Sequence, residues 1–218
     1  MTIRAVLFDL DGTLVDSLDD LTDAVNHMLA SFGKKPLSTT EVRSLVGKGA
    51  SNLVQRALGM GSPEDIEQGL GLFMEFNAAH IADKSRLYSG AREILENLAA
   101  CGIRMAIISN KGAALSRLIL ETLTIDAFFE IICGGDSFPE MKPSPLPLIR
   151  VIDRLGIASN EAFMVGDSIN DIQAGKQAGI ATIGCTWGYG DLNELQGADH
   201  LAASCKEVGA ILLQQEID

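Results

Sequence analysis

Residues 4–17 read RAVLFDLDGTLVDS, a short β-branched and aromatic run, RAVLF, that ends at two aspartates, Asp9 and Asp11. The apolar run reads as a buried strand. Two carboxylates crowded at its end are costly unless a cation or a proton settles between them.

Working outward, Leu18, Leu21, Val25, Leu29 and Phe32 recur at helical spacing, with Ser17 as the expected N-cap and Gly33 at the far end. From there to about Asp83 only helical patterns follow: TTEVRSLVGKGASNLVQRAL, interrupted at Gly47 and Gly49, and then PEDIEQGLGLFMEFNAAHIA. No strand is expected in this block. After Tyr88-Ser-Gly the rhythm changes to alternation: helix 91–101, strand 103–108, helix 113–123, strand 130–133, helix 145–155, strand 162–165, helix 170–178 and strand 180–183. A short strand near 200–202 and a helix from about 205 close the chain. Strands alternating with helices predict a parallel sheet covered by helices. The expected fold is therefore α/β: a Rossmann-like parallel sheet core formed by residues 1–15 and 84–218, with a helical-bundle cap, residues 16–83, inserted after the first strand.

Composition narrows the function. The net charge is −12, from 17 basic against 29 acidic residues, and no Lys/Arg cluster stands out, which argues against nucleic acid or an anionic membrane as partner. No apolar run approaches the roughly 20 residues of a membrane span. Asp9 and Asp11 interrupt the apolar centre that a signal peptide would need, so a cytoplasmic protein is expected. The four cysteines, Cys101, Cys133, Cys185 and Cys205, form no C-x-x-C pair and are expected to be single buried thiols. His27, His80 and His200 stand in no metal-ligand spacing.

In an open parallel sheet, ligands bind beyond the carboxyl ends of the strands. That rule gathers Asp9 and Asp11, Ser109 and Asn110, Gly134 to Asp136, and Gly166 with Asp167 on one edge, where the helical insert can act as a lid. Asp9, Asp11 and Asp167 in one pocket require a cation, and an all-oxygen set with no Cys or His points to Mg²⁺. Mg²⁺ is usually completed by a substrate phosphate, so phosphoryl chemistry follows. One carboxylate can attack phosphorus and a second can serve as acid and base. Ser109 and Asn110 offer phosphate contacts near a helix N-terminus. Lys142, in a loop stiffened by Pro143, Pro145 and Pro147, can supply positive charge opposite the metal. Asp171 is expected as a partner of the metal or of Lys142, one turn beyond Asp167.

The stretches DLDGTLVDS, IISN, KPSP and GDSINDI, in this order from Asp9 to Asp171, resemble the motifs of the haloacid dehalogenase superfamily of phosphohydrolases. The resemblance implies Asp9 as nucleophile, Asp11 as acid/base, Ser109 and Lys142 as phosphate ligands, and Asp9, Asp11 (through its main-chain carbonyl) and Asp167 as ligands of Mg²⁺. Dehalogenases of this superfamily lack the second aspartate, so Asp11 favours phosphate ester hydrolysis. FDLDGTLVDSLDDL, RSLVGKGASNLVQRAL and VGDSINDIQAGKQAG are most similar to bacterial phosphoglycolate phosphatases. That likeness implies a small phosphorylated metabolite, 2-phosphoglycolate, as substrate of a monomer or homodimer. Gly47, Lys48 and Gly49 would then meet the glycolate carboxylate. A sister phosphatase for a sugar phosphate, a nucleotide or pyrophosphate carries the same motifs, and a phospho-acceptor signalling or binding protein is the alternative from another class.

Overall fold

Strand β1 (Ala5–Phe8) is buried along its whole length, because it lies at the centre of a six-stranded sheet with a neighbour on each side. A computed structural model describes residues 3–59 and 61–214. The other strands of this sheet are β4 (Arg104–Ile108), β5 (Ile131–Cys133), β6 (Ala162–Gly166), β7 (Ala181–Cys185) and β8 (His200–Ala202), in the order β5-β4-β1-β6-β7-β8. All are parallel: Val6 lies opposite Met105 on one side and Phe163 on the other. A strand buried on both faces needs apolar residues at every position, which is why RAVLF reads as a continuous run.

Alternate β1 residues feed two cores. Val6 and Phe8 pack with α5 (Ala91–Ala100), α6 (Ala113–Thr122) and α9 (Cys205–Gln214), through residues such as Leu95, Ile119 and Leu212. Ala5 and Leu7 pack with α7 (Leu146–Leu155) and α8 (Ile169–Ala178), through Leu148, Val151 and Ala174. From β1 the chain winds outward to β4 and β5, then returns past β1 to wind outward again through β6, β7 and β8. The winding direction reverses between β1 and β6. At such a switch point the connections leave in opposite directions and open a crevice at the carboxyl edge. Asp9 follows β1 and Asp167 follows β6, so the reversal sets them side by side.

The helices α1 (Leu18–Ser31), α2 (Thr39–Arg43), α3 (Gly49–Leu58) and α4 (Pro63–Ala79) form a third core of their own, around Val25, Met28, Val54 and Phe73. Gly69 lets α4 approach closely: a methyl group there would stand 2.9 Å from Leu58 Cδ1 and 3.1 Å from both Met28 Sδ and Val54 Cγ1.

From Gly33 to Asp83 no strand occurs among the described residues, as expected, but two other local expectations need correction. Two short strands that the sequence pattern does not show flank this block: β2 (Val15–Asp16) pairs antiparallel with β3 (Arg86–Leu87), Val15 opposite Leu87. Two-residue strands are too short to produce a readable alternation. The buried Asp20 ties the same junction, accepting hydrogen bonds from Lys84 N (3.0 Å), Ser85 N (2.7 Å) and Ser85 Oγ (2.6 Å). Ser17 does hold the N-cap position of α1 but makes no capping bond; its side chain is turned to Asp11, Oγ donating to Oδ1 at 2.5 Å, so the oxygen is held away from the first-turn N–H groups. Cys101, at the exposed end of α5, is not buried, whereas the other three cysteines are.

Candidate active site

The floor of the crevice is acidic. One carboxylate oxygen from each of Asp9, Asp167 and Asp171 lies within 4.8 Å of the others. Asp9 is held by its own backbone, N–H donating to Val165 O at 2.9 Å. Asp167 accepts hydrogen bonds from Tyr189 N (2.6 Å) and Thr13 Oγ1 (3.2 Å). Gly12 permits that packing: its φ is +88°, and a Cβ there would sit 2.4 Å from Asp167 Oδ2.

Lys142 reaches into this floor, 3% exposed, with Nζ 2.8 Å from Asp9 Oδ1 and 2.6 Å from Asp171 Oδ1. The other oxygen of Asp171 accepts from Ser168 N (3.0 Å) and Ser168 Oγ (2.7 Å), which ties it to the start of α8. Burial pushes Asp9 up to about 8; Lys142 opposes that rise, while Asp171 and Asp167 add to it. Asp167 is pushed up to about 6, first by burial and then by Asp171. Burial alone would lower Lys142, but Asp171 and Asp9 outweigh it and leave the ammonium favoured. Two carboxylates raised by burial and mutual repulsion are what a divalent cation would relieve. Asp171 places its oxygens on Lys142 and Ser168, Asp167 on Thr13, Tyr189 and Gly190, and Asp9 one oxygen on Lys142. An all-oxygen set of this kind fits a hard cation.

Asp11 stands apart from the cluster. Its carboxylate accepts from Ser17 Oγ and from Lys111 Nζ at 3.0 and 3.1 Å, an ion pair whose lysine is 7% exposed. Ser109 ends β4 and its Oγ accepts from Lys111 N at 3.2 Å, which leaves the hydroxyl hydrogen free. Asn110 uses its amide nitrogen as a brace, donating to Gly47 O and to Lys142 O at 2.8 Å each. Asn170 donates to the same Gly47 carbonyl at 3.2 Å. The loop carrying Gly47, Lys48 and Gly49 is thereby hydrogen-bonded to the sheet edge. Lys48, exposed at the N-terminus of α3, makes no ion pair among the described residues. A cavity of about 610 Å³ lies between the helical block and the sheet, lined by Asp9, Asp11, Ser109, Lys142, Asp167 and Lys48 among others.

Of the edge residues expected from the sequence, Gly134, Gly135, Asp136 and Gly166 do not line the cavity; Asp136 instead accepts from Ala113 N at 2.8 Å at the start of α6. Sequence reasoning missed four participants. Lys111 pairs with Asp11, Tyr189 bonds the Asp167 carboxylate, Asn170 holds Gly47, and Arg43 donates to Tyr189 O (3.1 Å) and Gly188 O (2.5 Å). The Tyr189 hydroxyl also accepts from Ser17 N (2.7 Å) and donates to Asp16 Oδ1 (3.1 Å). Only the position of Lys111, directly after Ser109 and Asn110, offered a signal.

Residues 6–185 match the family described as haloacid dehalogenase-like hydrolase. The chain is 42% identical over 202 residues to a phosphoglycolate phosphatase of Neisseria gonorrhoeae, covering 90% of this chain and 86% of the relative. It is 40% identical over 211 residues to a phosphoglycolate phosphatase of Chromobacterium violaceum, covering 94% and 95%. A crystal structure of a predicted phosphoglycolate phosphatase from Haemophilus somnus superposes with a TM-score of 0.92 at 32% identity, covering 97% of this chain and 98% of that one. With a switch-point crevice floored by aspartates and a buried lysine, and relatives of this kind along nearly its whole length, the chain belongs to the haloacid dehalogenase-like hydrolases and is a phosphatase.

Proposed function

We propose that this phosphatase is a Mg²⁺-dependent phosphomonoester hydrolase that works through an aspartyl-phosphate and takes 2-phosphoglycolate, releasing glycolate and phosphate. The observation that carries the mechanism is Lys142 Nζ lying between Asp9 and Asp171 on a floor shared with Asp167. Asp9 is the nucleophile: a carboxylate oxygen attacks phosphorus and the bond from phosphorus to the ester oxygen breaks. Asp11 acts from its protonated form, giving its proton to the departing oxygen and becoming the carboxylate that Lys111 pairs with. It then takes a proton from the water that attacks the aspartyl-phosphate, which frees phosphate and restores Asp9. Mg²⁺, held by Asp9, Asp167 and the main-chain carbonyl of Asp11, would neutralise phosphoryl oxygens. No hydrogen bond among the described residues is made to that carbonyl, which leaves it available. Ser109 donates its hydroxyl hydrogen to a phosphate oxygen, Lys142 supplies charge beside Asp9, and Asn110 positions both Lys142 and the Gly47 loop. Asp171 keeps Lys142 in place.

The division proposed is a core of residues 1–15 and 84–218 with a cap of residues 16–83, whose separate apolar core supports the reading. Lys48 would face the glycolate carboxylate; its exposure and lack of an ion pair leave its charge free for a ligand. The relatives named phosphoglycolate phosphatase favour this substrate over a sugar phosphate, a nucleotide or pyrophosphate. A small metabolite in the cytoplasm suits an acidic chain in which, among the described residues, no helix is long and apolar enough to cross a membrane. The test is phosphate release with and without Mg²⁺ from 2-phosphoglycolate, a hexose phosphate, a nucleoside monophosphate and pyrophosphate, with Asp9→Asn as control. A clear preference for 2-phosphoglycolate is expected; preference for another ester keeps the chemistry and removes the substrate.

A further inference from the structure

The cavity is larger than glycolate phosphate requires. Its 610 Å³ corresponds to about twenty water volumes and falls in the range that holds drug-sized ligands. Part of its wall is apolar: Leu21 of α1, Leu53 of α3 and Phe73 of α4 line it together with Leu115 of α6. Phe73 and Asn77 stand four residues apart on α4 and so share a face. Asn77 also lines the cavity and is 2% exposed. Its amide makes no side-chain hydrogen bond among the described residues and is not one of the polar atoms shut away without a partner, so it is open to the cavity. An amide on an apolar wall, aimed into an open chamber, is the arrangement of a ligand site that fixes one polar group of an otherwise apolar body.

We propose that this chamber binds the leaving group of phosphomonoesters longer than 2-phosphoglycolate, with an aliphatic body against Leu21, Leu53 and Phe73 and a terminal hydroxyl on the Asn77 amide. The inference rests on the phosphatase reading of the same site and extends it to a substrate class: phosphorylated aliphatic alcohols with a distal hydroxyl. An amide both donates and accepts, so a hydroxyl satisfies either of its ends.

The experiment compares kcat/KM for ethyl, butyl and hexyl phosphate with the corresponding ω-hydroxyalkyl phosphates and with 2-phosphoglycolate, in the wild-type chain and in Asn77→Leu and Asn77→Ala. In the wild-type chain each added methylene should raise kcat/KM about fourfold until the chamber is spanned. At the best length the ω-hydroxyl should add about a further fivefold. Both variants should bring the ratio of ω-hydroxyalkyl to alkyl ester to about one, and because it is a ratio within one protein, partial unfolding does not move it. Rates that stay flat or fall with chain length, or a hydroxyl preference that survives both variants, overturn the chamber while leaving phosphatase activity standing. No release from any ester, 2-phosphoglycolate included, overturns the phosphatase reading and the chamber with it.

Discussion

Lys142 and Lys48 line the same cavity and are held in opposite ways. Lys142 is buried, with a carboxylate on each side, in a floor whose groups are tied to strand ends and to the first turn of α8. Lys48 is exposed at the start of a cap helix, and its loop meets the sheet edge through the Gly47 carbonyl. The charge of Lys142 is paired within the fold, whereas that of Lys48 makes no ion pair among the described residues. Substitutions should therefore act on turnover and stability at the floor, and on KM at the cap.

The largest effect tests the floor. Asp9→Asn keeps size and removes the proposed nucleophile, so phosphate release should fall by at least about a thousandfold. Circular dichroism should match the wild-type chain, and appreciable turnover would break the mechanism. Next, Lys142→Met strands the buried Asp171 without its cation, a loss of about 3 kcal/mol that a denaturant titration would read. Adding Asp171→Asn removes the orphaned charge and should recover much of that loss; a double variant no more stable than the single would separate the two residues.

The third prediction concerns pH. In the metal-free chain Asp9 is raised from 3.8 to about 8 and Asp167 from 3.8 to about 6. Between those values the folded chain holds protons that the unfolded chain has released, so these two groups make stability fall as pH rises from about 4 to about 8. Thermal melts in chelator should show Tm dropping across that window. Mg²⁺ should raise Tm more at pH 8 than at pH 5, where protons compete for the same oxygens. A Mg²⁺ effect independent of pH would detach these carboxylates from the metal.

The cap side should respond more weakly. Arg43→Ala removes the two hydrogen bonds to Gly188 and Tyr189 carbonyls and should raise KM about fivefold, with a smaller change in kcat. Lys48→Ala should raise KM for 2-phosphoglycolate about threefold and leave a phosphomonoester without a carboxylate unaffected. Equal effects on both esters would remove Lys48 from carboxylate recognition and place the comparison on Lys142 alone.

Much of the floor is legible in one dimension. Asp9, Asp11 and Asp167 each directly follow, or lie two residues beyond, a continuous apolar run, and parallel strands deliver whatever follows their carboxyl ends to one edge. Lys142 is readable only through the prolines that flank it. The supporting contacts are different in kind. Lys111 meets Asp11 across 100 positions, Arg43 meets Gly188 across 145, and Ser17 meets Tyr189 across 172. Lys111 is hinted at only by its place directly after Ser109 and Asn110, and nothing in the local pattern of Arg43 or Tyr189 distinguishes them from surface residues.

By itself the sequence determined the alternation of strands and helices, the helical insert after the first strand and the acidic residues at strand ends, because hydrophobic periodicity and strand termination are local properties of the chain. The tertiary structure alone decided the order β5-β4-β1-β6-β7-β8, which sets Asp9 beside Asp167. It also decided the turning of the Ser17 hydroxyl toward Asp11 and the placing of Asn77 in the wall of the chamber. These depend on which distant surfaces are pressed together, and the free energy that selects them comes from burial shared among elements far apart in the chain.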